Sequence, residues 1–363
     1  MKRTLMAMTA VVMTAAMLVA PAGAVAALDE LVLPAPTGPH PVGVEQLHLV
    51  DQDRTDPWVP TGPRELMVSV WYPAAAAHGD PVPYAGAEES RLLLELYGIT
   101  GVPSDALTRV RTHAVAGAKP LRSSHRLPLV LLSPGLAFPR WTLTTLAEDL
   151  ASRGYVVAGI DHTYEGAAVT FPDGRVAKCL VCNGGVSGAS IIAGRALDIS
   201  FVLDRVLARY PKLVDPHRIA TAGHSIGGAA AAATMLADPR VDAGANLDGS
   251  FQPALTQDLP RPFLLMSGED RSPGNRPDWD QTWSHLMGWR RWLHVPDMGH
   301  TSFSDAAVIV EWLGLPPQPL PGTRVIEILR TYLSAFAGLH LRHHPEPLLD
   351  HPSPRFPEVQ FPQ

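Results

Sequence analysis

The sequence predicts an α/β fold, with a mostly parallel central sheet and helices on both of its faces. Three observations predict it. From residue 127 onward, short apolar runs of the kind that make strands buried on both faces alternate with stretches of helical period. A glycine-bracketed serine stands where one such run gives way to alanines, in "RIATAGHSIGGAAAAATM", residues 218–235. Composition agrees: 363 residues, 46% hydrophobic and 18% charged, suit one large globular domain or two modest ones and exclude a disordered chain.

Lys2 and Arg3 precede an uncharged, mostly apolar run from Leu5 through Ala20, followed by "PAGAVAALDE". A basic head, an apolar middle and small residues at Ala22, Ala24 and Ala26 predict a signal peptide over residues 1–26, cleaved near residues 24–27, and an extracellular protein. The apolar run is short for a membrane anchor, and Pro21 ends it. Losing Lys2 and Arg3 with the leader makes the formal charge of −6 two units more negative. An acidic mature chain has no general attraction to nucleic acid, so no nucleic-acid partner is expected. A monomer making at most peripheral contact with lipid surfaces is.

"LDELVLPAPTGPHPVG" is proline-rich and extended, and "VEQLHLVDQDR" and "ELMVSVWYPA" carry strand patterns. Residues 84–127 are less regular, except that "EESRLLLELYGI" reads as a helix with Leu92, Leu93, Leu96 and Tyr97 on its apolar face. "LPLVLLSPG" and "YVVAGID" then read as buried strands flanking the helix "WTLTTLAEDLASRG". "SIIAGRALDISFVLDRVLARYP" is a long amphipathic helix stopped at Pro211. "RIATAG", "VDAGANLD", "RPFLLMSG" and "RRWLHVPD" are further strands, and "GTRVIEILRTYLSAFAGL" is the last helix. The α/β domain is expected over residues 27–339. Residues 340–363 form a Pro- and His-rich tail, read as an irregular strap or disordered.

In a parallel α/β sheet, functional groups gather at the C-terminal ends of strands. Ser225 follows one strand there, Asp248 and Asp270 end the next two, and His300 follows the last. Gly223-His224-Ser225-Ile226-Gly227 is a G-x-S-x-G between strand and helix, the pattern of a nucleophile elbow, and the order Ser, Asp, His is the order used by α/β-hydrolases. A serine hydroxyl needs a neutral imidazole to take its proton, and that imidazole needs a carboxylate on its other nitrogen. The tetrahedral oxyanion needs two fixed N–H donors. Ile226, after the nucleophile, is one candidate. Leu136, in the turn "LLSPGLAFPR", is the other. His224 is expected to pack or cap rather than act as the base.

"GHSIGGAAAAATMLADPRVDAGANLDG", with "LLSPGLAFPRWTLTTLAEDLASRGYVVAGIDH" upstream and "GHTSFSD" downstream, resembles the platelet-activating-factor acetylhydrolase type of secreted serine esterase and its actinobacterial relatives. The likeness runs over nearly the whole mature chain except the tail. It implies the α/β-hydrolase fold and a cofactor-independent, metal-free ester hydrolase that works through an acyl-enzyme. It carries the acid onto Asp248 in the Leu247-Asp248 pair, the base onto His300, and the backbone donors onto Leu136 and Ile226. A small-molecule or lipid ester is the implied substrate. The animal enzymes have His-Gly-Leu-Gly where this chain has Pro134-Gly135-Leu136-Ala137, a change compatible with keeping the backbone donor. The insert at 161–188 is expected to border the acyl or leaving-group pocket; whether it or residues 84–127 form a lid is open. The same G-H-S-x-G-G also resembles cutinase-type polyester and triacylglycerol hydrolases, which would point to Asp270 as the acid. Gly249 is expected to leave room for the histidine loop, which favours Asp248.

Cys179 and Cys182 are the only cysteines. Zinc would need further ligands that no spacing supplies, and a thioredoxin-like pair would sit at a helix start. A local disulfide is expected in an exported protein, with free thiols as the remaining alternative. So short a loop stabilises by only about 2 kcal/mol, so the bridge shapes the loop more than the fold. Two rivals from other classes stand beside the esterase: a non-catalytic hydrolase-fold binding protein and a redox protein using the cysteines.

Overall fold

The computed structural model describes residues 28–269 and 271–362. The leader expected over residues 1–26 lies outside the described residues, as does Asp270. Strands β1 (Leu31–Val32), β2 (Val42–Thr55), β3 (Pro63–Pro73), β4 (Pro81–Pro83) and β5 (Val110–Ala116) come first, with helix α1 (Ala87–Leu96) between the last two. There follow β6 (Leu127–Ser133), α2 (Thr144–Ser152), β7 (Val156–His162), the pair β8 (Ala168–Thr170) and β9 (Val176–Lys178), and α3 (Gly188–Arg209). The last part holds β10 (Val214–His224), α4 (Ile226–Ala237), β11 (Ala243–Leu247), β12 (Phe263–Ser267), α5 (Pro277–His285), β13 (Arg290–His294), α6 (Ala306–Trp312) and α7 (Gly322–Arg342).

Among the described residues one sheet runs β1-β5-β2-β3-β7-β6-β10-β11-β12-β13, with β4 on β5. From β7 to β13 every pairing is parallel, and β3 joins antiparallel to both β2 and β7. Strand β6 shows why its sequence is apolar from Leu127 through Leu132. Val130 and Leu132 point into the core under α2, α6 and α7, while Leu129 and Leu131 point into the one under α3, α4 and α5. A strand covered on both faces has no polar side to show. The parallel order puts the C-terminal ends of β6, β7, β10, β11, β12 and β13 along one edge, and the loops there carry the site.

Three sequence readings need correction. Helix α1 buries Leu92 and Leu94, not a face of Leu92, Leu93, Leu96 and Tyr97; Leu96 and Tyr97 are exposed. The irregular 84–127 stretch contains β5, whose "VRTHAVA" alternates buried and open positions but carries Arg111 and His113. The final helix, read as ending at Leu339, runs on to Arg342, and the tail after it takes the form of a strap that buries Leu349, Phe356 and Val359. Gln360 makes a two-bond antiparallel bridge with His294 at the end of β13.

Candidate active site

Ser225 stands between β10 and α4 with φ 54° and ψ −129°. This is a left-handed conformation that costs a non-glycine residue about 1–3 kcal/mol and is kept only where the surroundings fix it. The flanking glycines show what fixes it. A Cβ on Gly223 would run into the Gly227 carbonyl, and one on Gly227 into the Ser133 carbonyl, so strand, elbow and helix start touch backbone to backbone. The Ser225 N–H is held by the Leu247 carbonyl at 2.9 Å.

The His300 Nε2 lies 2.9 Å from the Ser225 Oγ, and its Nδ1 lies 2.6 Å from an Asp248 carboxylate oxygen. Asp248 is fully buried and also takes the Gly268 N–H at 2.8 Å and the Arg271 Nη1 at 2.6 Å. His300 sits in a short 3-10 turn after β13 with about a third of its side chain (36%) open to solvent. The structure thus brings Ser225, His300 and Asp248 into one chain. Asp270 is the competing acid, outside the described residues. Gly249 does not make room for the histidine loop: a Cβ there would strike the Ser225 carbonyl and the Asn246 side chain, so the close approach is to the elbow.

His224 packs, as its place beside the serine implied. Its Nε2–H donates to the His300 carbonyl at 2.8 Å, and the two rings stand 4.9 Å apart. Burial, then the neighbouring His300, pushes its pKa well below the usual imidazole range, so it stays neutral. The predicted oxyanion donors flank the same spot. Ile226 opens α4, where the first N–H groups have no acceptor inside the helix. Leu136 lies in the turn after β6, and a Cβ on the preceding Gly135 would stand 3.3 Å from the Ser225 Cβ. Beside the His300 turn opens an apolar pocket of about 270 Å³, walled by Tyr97, Phe138, Trp141, Thr301, Ile309 and Leu313, with no charged side chain among the described residues that line it. Neutral walls suit the apolar arm of an uncharged substrate.

Residues 25–177 match the family described as platelet-activating factor acetylhydrolase, isoform II. A probable 1-alkyl-2-acetylglycerophosphocholine esterase of Arthroderma benhamiae is 29% identical, over 92% of this chain and 94% of its own length. The platelet-activating factor acetylhydrolase of Cavia porcellus is 24% identical over 59% of this chain and 54% of its own. A solved ferulic acid esterase from Streptomyces cinnamoneus superposes with a TM-score of 0.84 at 42% identity, covering 92% of this chain and all of that one. The chain is a serine ester hydrolase of the α/β-hydrolase fold, similar to the platelet-activating-factor acetylhydrolases.

The esterase holds a second Ser–His–Asp chain that sequence reading missed. The Ser133 Oγ is 2.9 Å from the His162 Nε2, and the His162 Nδ1 is 2.9 Å from Asp198. Ser133 and Asp198 are fully buried and His162 nearly so. Asp198 is also gripped by Arg64, at 2.7 and 3.2 Å, and by Arg54 at 2.9 Å. Burial would raise the Asp198 carboxyl, but the Arg64 charge and the His162 hydrogen bond hold it far below the usual range. Burial likewise lowers His162, which stays neutral. No spacing motif links residues 133, 162 and 198, so only the fold could reveal them.

Cys179 and Cys182 form the expected local disulfide, at the end of the β8–β9 hairpin within the 161–188 insert. The esterase shows, among its described residues, no helix long and apolar enough to cross a membrane.

Proposed function

We propose that this chain is a secreted carboxylic-ester hydrolase in which Ser225 is the nucleophile, His300 the proton carrier and Asp248 the residue that orients it. The observation that carries this reading is the strained, partly open Ser225 with its Oγ 2.9 Å from the His300 Nε2. As Ser225 attacks the ester carbonyl, His300 takes its proton and Asp248 stabilises the imidazolium. The N–H groups of Leu136 and Ile226 hold the oxyanion. His300 then returns the proton to the departing alcohol, leaving an acyl-enzyme that water, activated by His300, hydrolyses. The leader over residues 1–26 directs export, and the mature enzyme acts as a monomer.

The substrate is an ester with an uncharged, apolar acyl arm. The acetylated glycerophospholipid named for one relative has a small acyl group, and the ferulic ester named for the solved neighbour has an aromatic one. The Tyr97 and Phe138 rings, 5.5 Å apart in the pocket wall, favour room for an aromatic acyl group as a second reading. One panel decides: p-nitrophenyl acetate and butyrate, methyl ferulate, an acetyl ether phospholipid and tributyrin, with Ser225→Ala as control. Every hydrolysis should vanish in Ser225→Ala. Hydrolysis surviving there, or a fluorophosphonate labelling another serine, would remove Ser225 from the role. N-terminal sequencing of secreted protein should start between Val25 and Leu28, and an intact Met1 in a membrane fraction would refute export.

A further inference from the structure

Arg195 lies on α3, and its side chain is 1% exposed. None of its hydrogen bonds goes to Ser225, His300 or Asp248, yet every group it bonds leads to the turn that carries Leu136. Its Nη1 donates to the Pro134 carbonyl and, at 3.3 Å, to the Ser133 hydroxyl. Its Nε donates to the Glu165 carboxylate at 2.7 Å. Glu165 is itself fixed by the Trp58 indole N–H at 3.0 Å, and Arg64 stands 3.5 Å from it.

The backbone of Glu165 closes the circuit. The Ala137 N–H donates to the Glu165 carbonyl at 2.8 Å, and the Ala167 N–H returns a 2.8 Å bond to the Ala137 carbonyl. Leu136 therefore sits between two anchored residues, Pro134 on one side and Ala137 on the other. The direction of its N–H is set by the Gly135–Leu136 peptide plane. Turning that plane means moving an anchor.

Ala137 gives a reason for the anchoring. It has φ 70°, a conformation that alanine rarely adopts and glycine holds freely. Released from its partners, an alanine here would relax toward negative φ and carry the neighbouring amide with it.

We propose that Arg195 is a positioning residue for the oxyanion turn, clamping Pro134 directly and Ala137 through Glu165, so that the Leu136 N–H points at the developing oxyanion. A guanidinium suits the task because its Nε and Nη1 reach two separate acceptors in one fixed fork, which a lysine ammonium cannot reproduce. The inference rests on the proposed site, with Ser225 as nucleophile and Leu136 as donor.

The test compares Arg195→Met, Arg195→Lys and Arg195→Met with Ala137→Gly in the full chain on p-nitrophenyl butyrate. Loss of a whole oxyanion donor costs about 100- to 1000-fold in kcat, so a misaimed one should cost Arg195→Met about 10- to 100-fold, with KM within about twofold. The Ki of a trifluoromethyl ketone, which mimics the tetrahedral intermediate, should rise by the factor that kcat/KM falls. Arg195→Lys should recover part of the rate. Adding Ala137→Gly should recover more, because glycine keeps the turn without a clamp; a role in stability alone would not produce that rescue. A folded Arg195→Met with unchanged kcat, or a loss that Ala137→Gly leaves untouched, overturns the clamp. Should Arg195→Met not fold, Glu165→Gln reads the same circuit, with about a tenfold loss of kcat expected and an unchanged kcat overturning it. Ser225→Ala, run alongside, separates the two ideas. Activity surviving there removes the site itself, whereas a dead Ser225→Ala beside a normal Arg195→Met removes only the clamp.

Discussion

Ser225–His300–Asp248 and Ser133–His162–Asp198 use the same three residue types at almost the same spacings: 2.9 and 2.6 Å in the first, 2.9 and 2.9 Å in the second. Their surroundings differ in every way that matters to a reaction. Ser225 stands on a left-handed elbow at a helix start, and its imidazole is a third open to solvent. Ser133 ends an ordinary strand with no exposure, and its hydroxyl has a second neighbour in Arg195. Asp248 has one histidine and one arginine on the same oxygen, whereas Asp198 is shared among His162, Arg64 and Arg54. A hydrogen-bonded Ser–His–Asp chain is therefore no mark of a nucleophile by itself. Access for the ester and N–H donors aimed at its oxygen are needed as well. In the proposed reading the open chain is the one that reacts, and the sealed one ties β6, β7 and α3 together.

The sharpest way to break this contrast is to delete each hydroxyl. Ser225→Ala should lower kcat by about 10⁴-fold or more, while Ser133→Ala should stay within about threefold of wild type. Steady-state rates on one soluble ester check both, and a collapse in Ser133→Ala would reverse the roles. The acids come next. Asp248→Asn should cost about 10⁴ in kcat, because an amide holds the imidazole in the wrong tautomer. Asp198→Asn should leave the rate of the folded enzyme within about tenfold but cost about 3–5 kcal/mol of stability, since Arg64 loses a buried counter-charge. Urea unfolding and initial rates, measured on the same preparations, separate the two losses. Cys179→Ala with Cys182→Ala should lower stability by about 2 kcal/mol and kcat by less than about threefold. A large rate loss at unchanged stability would give the hairpin a part in turnover.

The smallest effect concerns pH. The folded protein holds the His162 pKa below its ordinary 6.5, chiefly through burial and the Arg195 charge, so the unfolded chain binds that proton more readily. Stability from this group is present above the ordinary value and is lost as pH falls below it. His162→Gln should therefore flatten the decline in urea midpoint between about pH 7 and pH 5. An unchanged slope would place the acid sensitivity elsewhere, for instance at buried His224.

What the sequence made legible follows from what local pattern can encode. Strands β6, β7 and β12 were readable because burial on both faces leaves a nearly unbroken apolar run, and β10 and β11 because small and apolar residues fill their buried parts. Ser225 was readable because steric contact at Gly223 and Gly227 permits so few sequences. Asp248 needed a family resemblance, since a carboxylate at a strand end looks the same in Asp248 and Asp270. Strand β5 was hidden by Arg111 and His113 on its open side. Arg195, Glu165 and His162 were hidden for a different reason. Their meaning lies in contacts across 29 or more positions of chain, and an arginine within "SIIAGRALDIS" reads as the polar side of a helix. The apolar face of α1 was misplaced because Leu96 and Tyr97 fit the helical period yet fall where the helix leaves the core.

Strand β13 ends the parallel sheet, and a strand in that place offers unpaired N–H and C=O groups to any passing chain. The C-terminal strap answers this at one point, where Gln360 and His294 exchange both backbone bonds at 2.9 and 2.8 Å. The strap at Gln360 thus covers the end of β13, where a strand of a second molecule could otherwise pair. A chain cut before Gln360, or carrying a fusion that pulls the strap away, should keep its chemistry and lose its colloidal good behaviour, self-associating through β13 as its concentration rises.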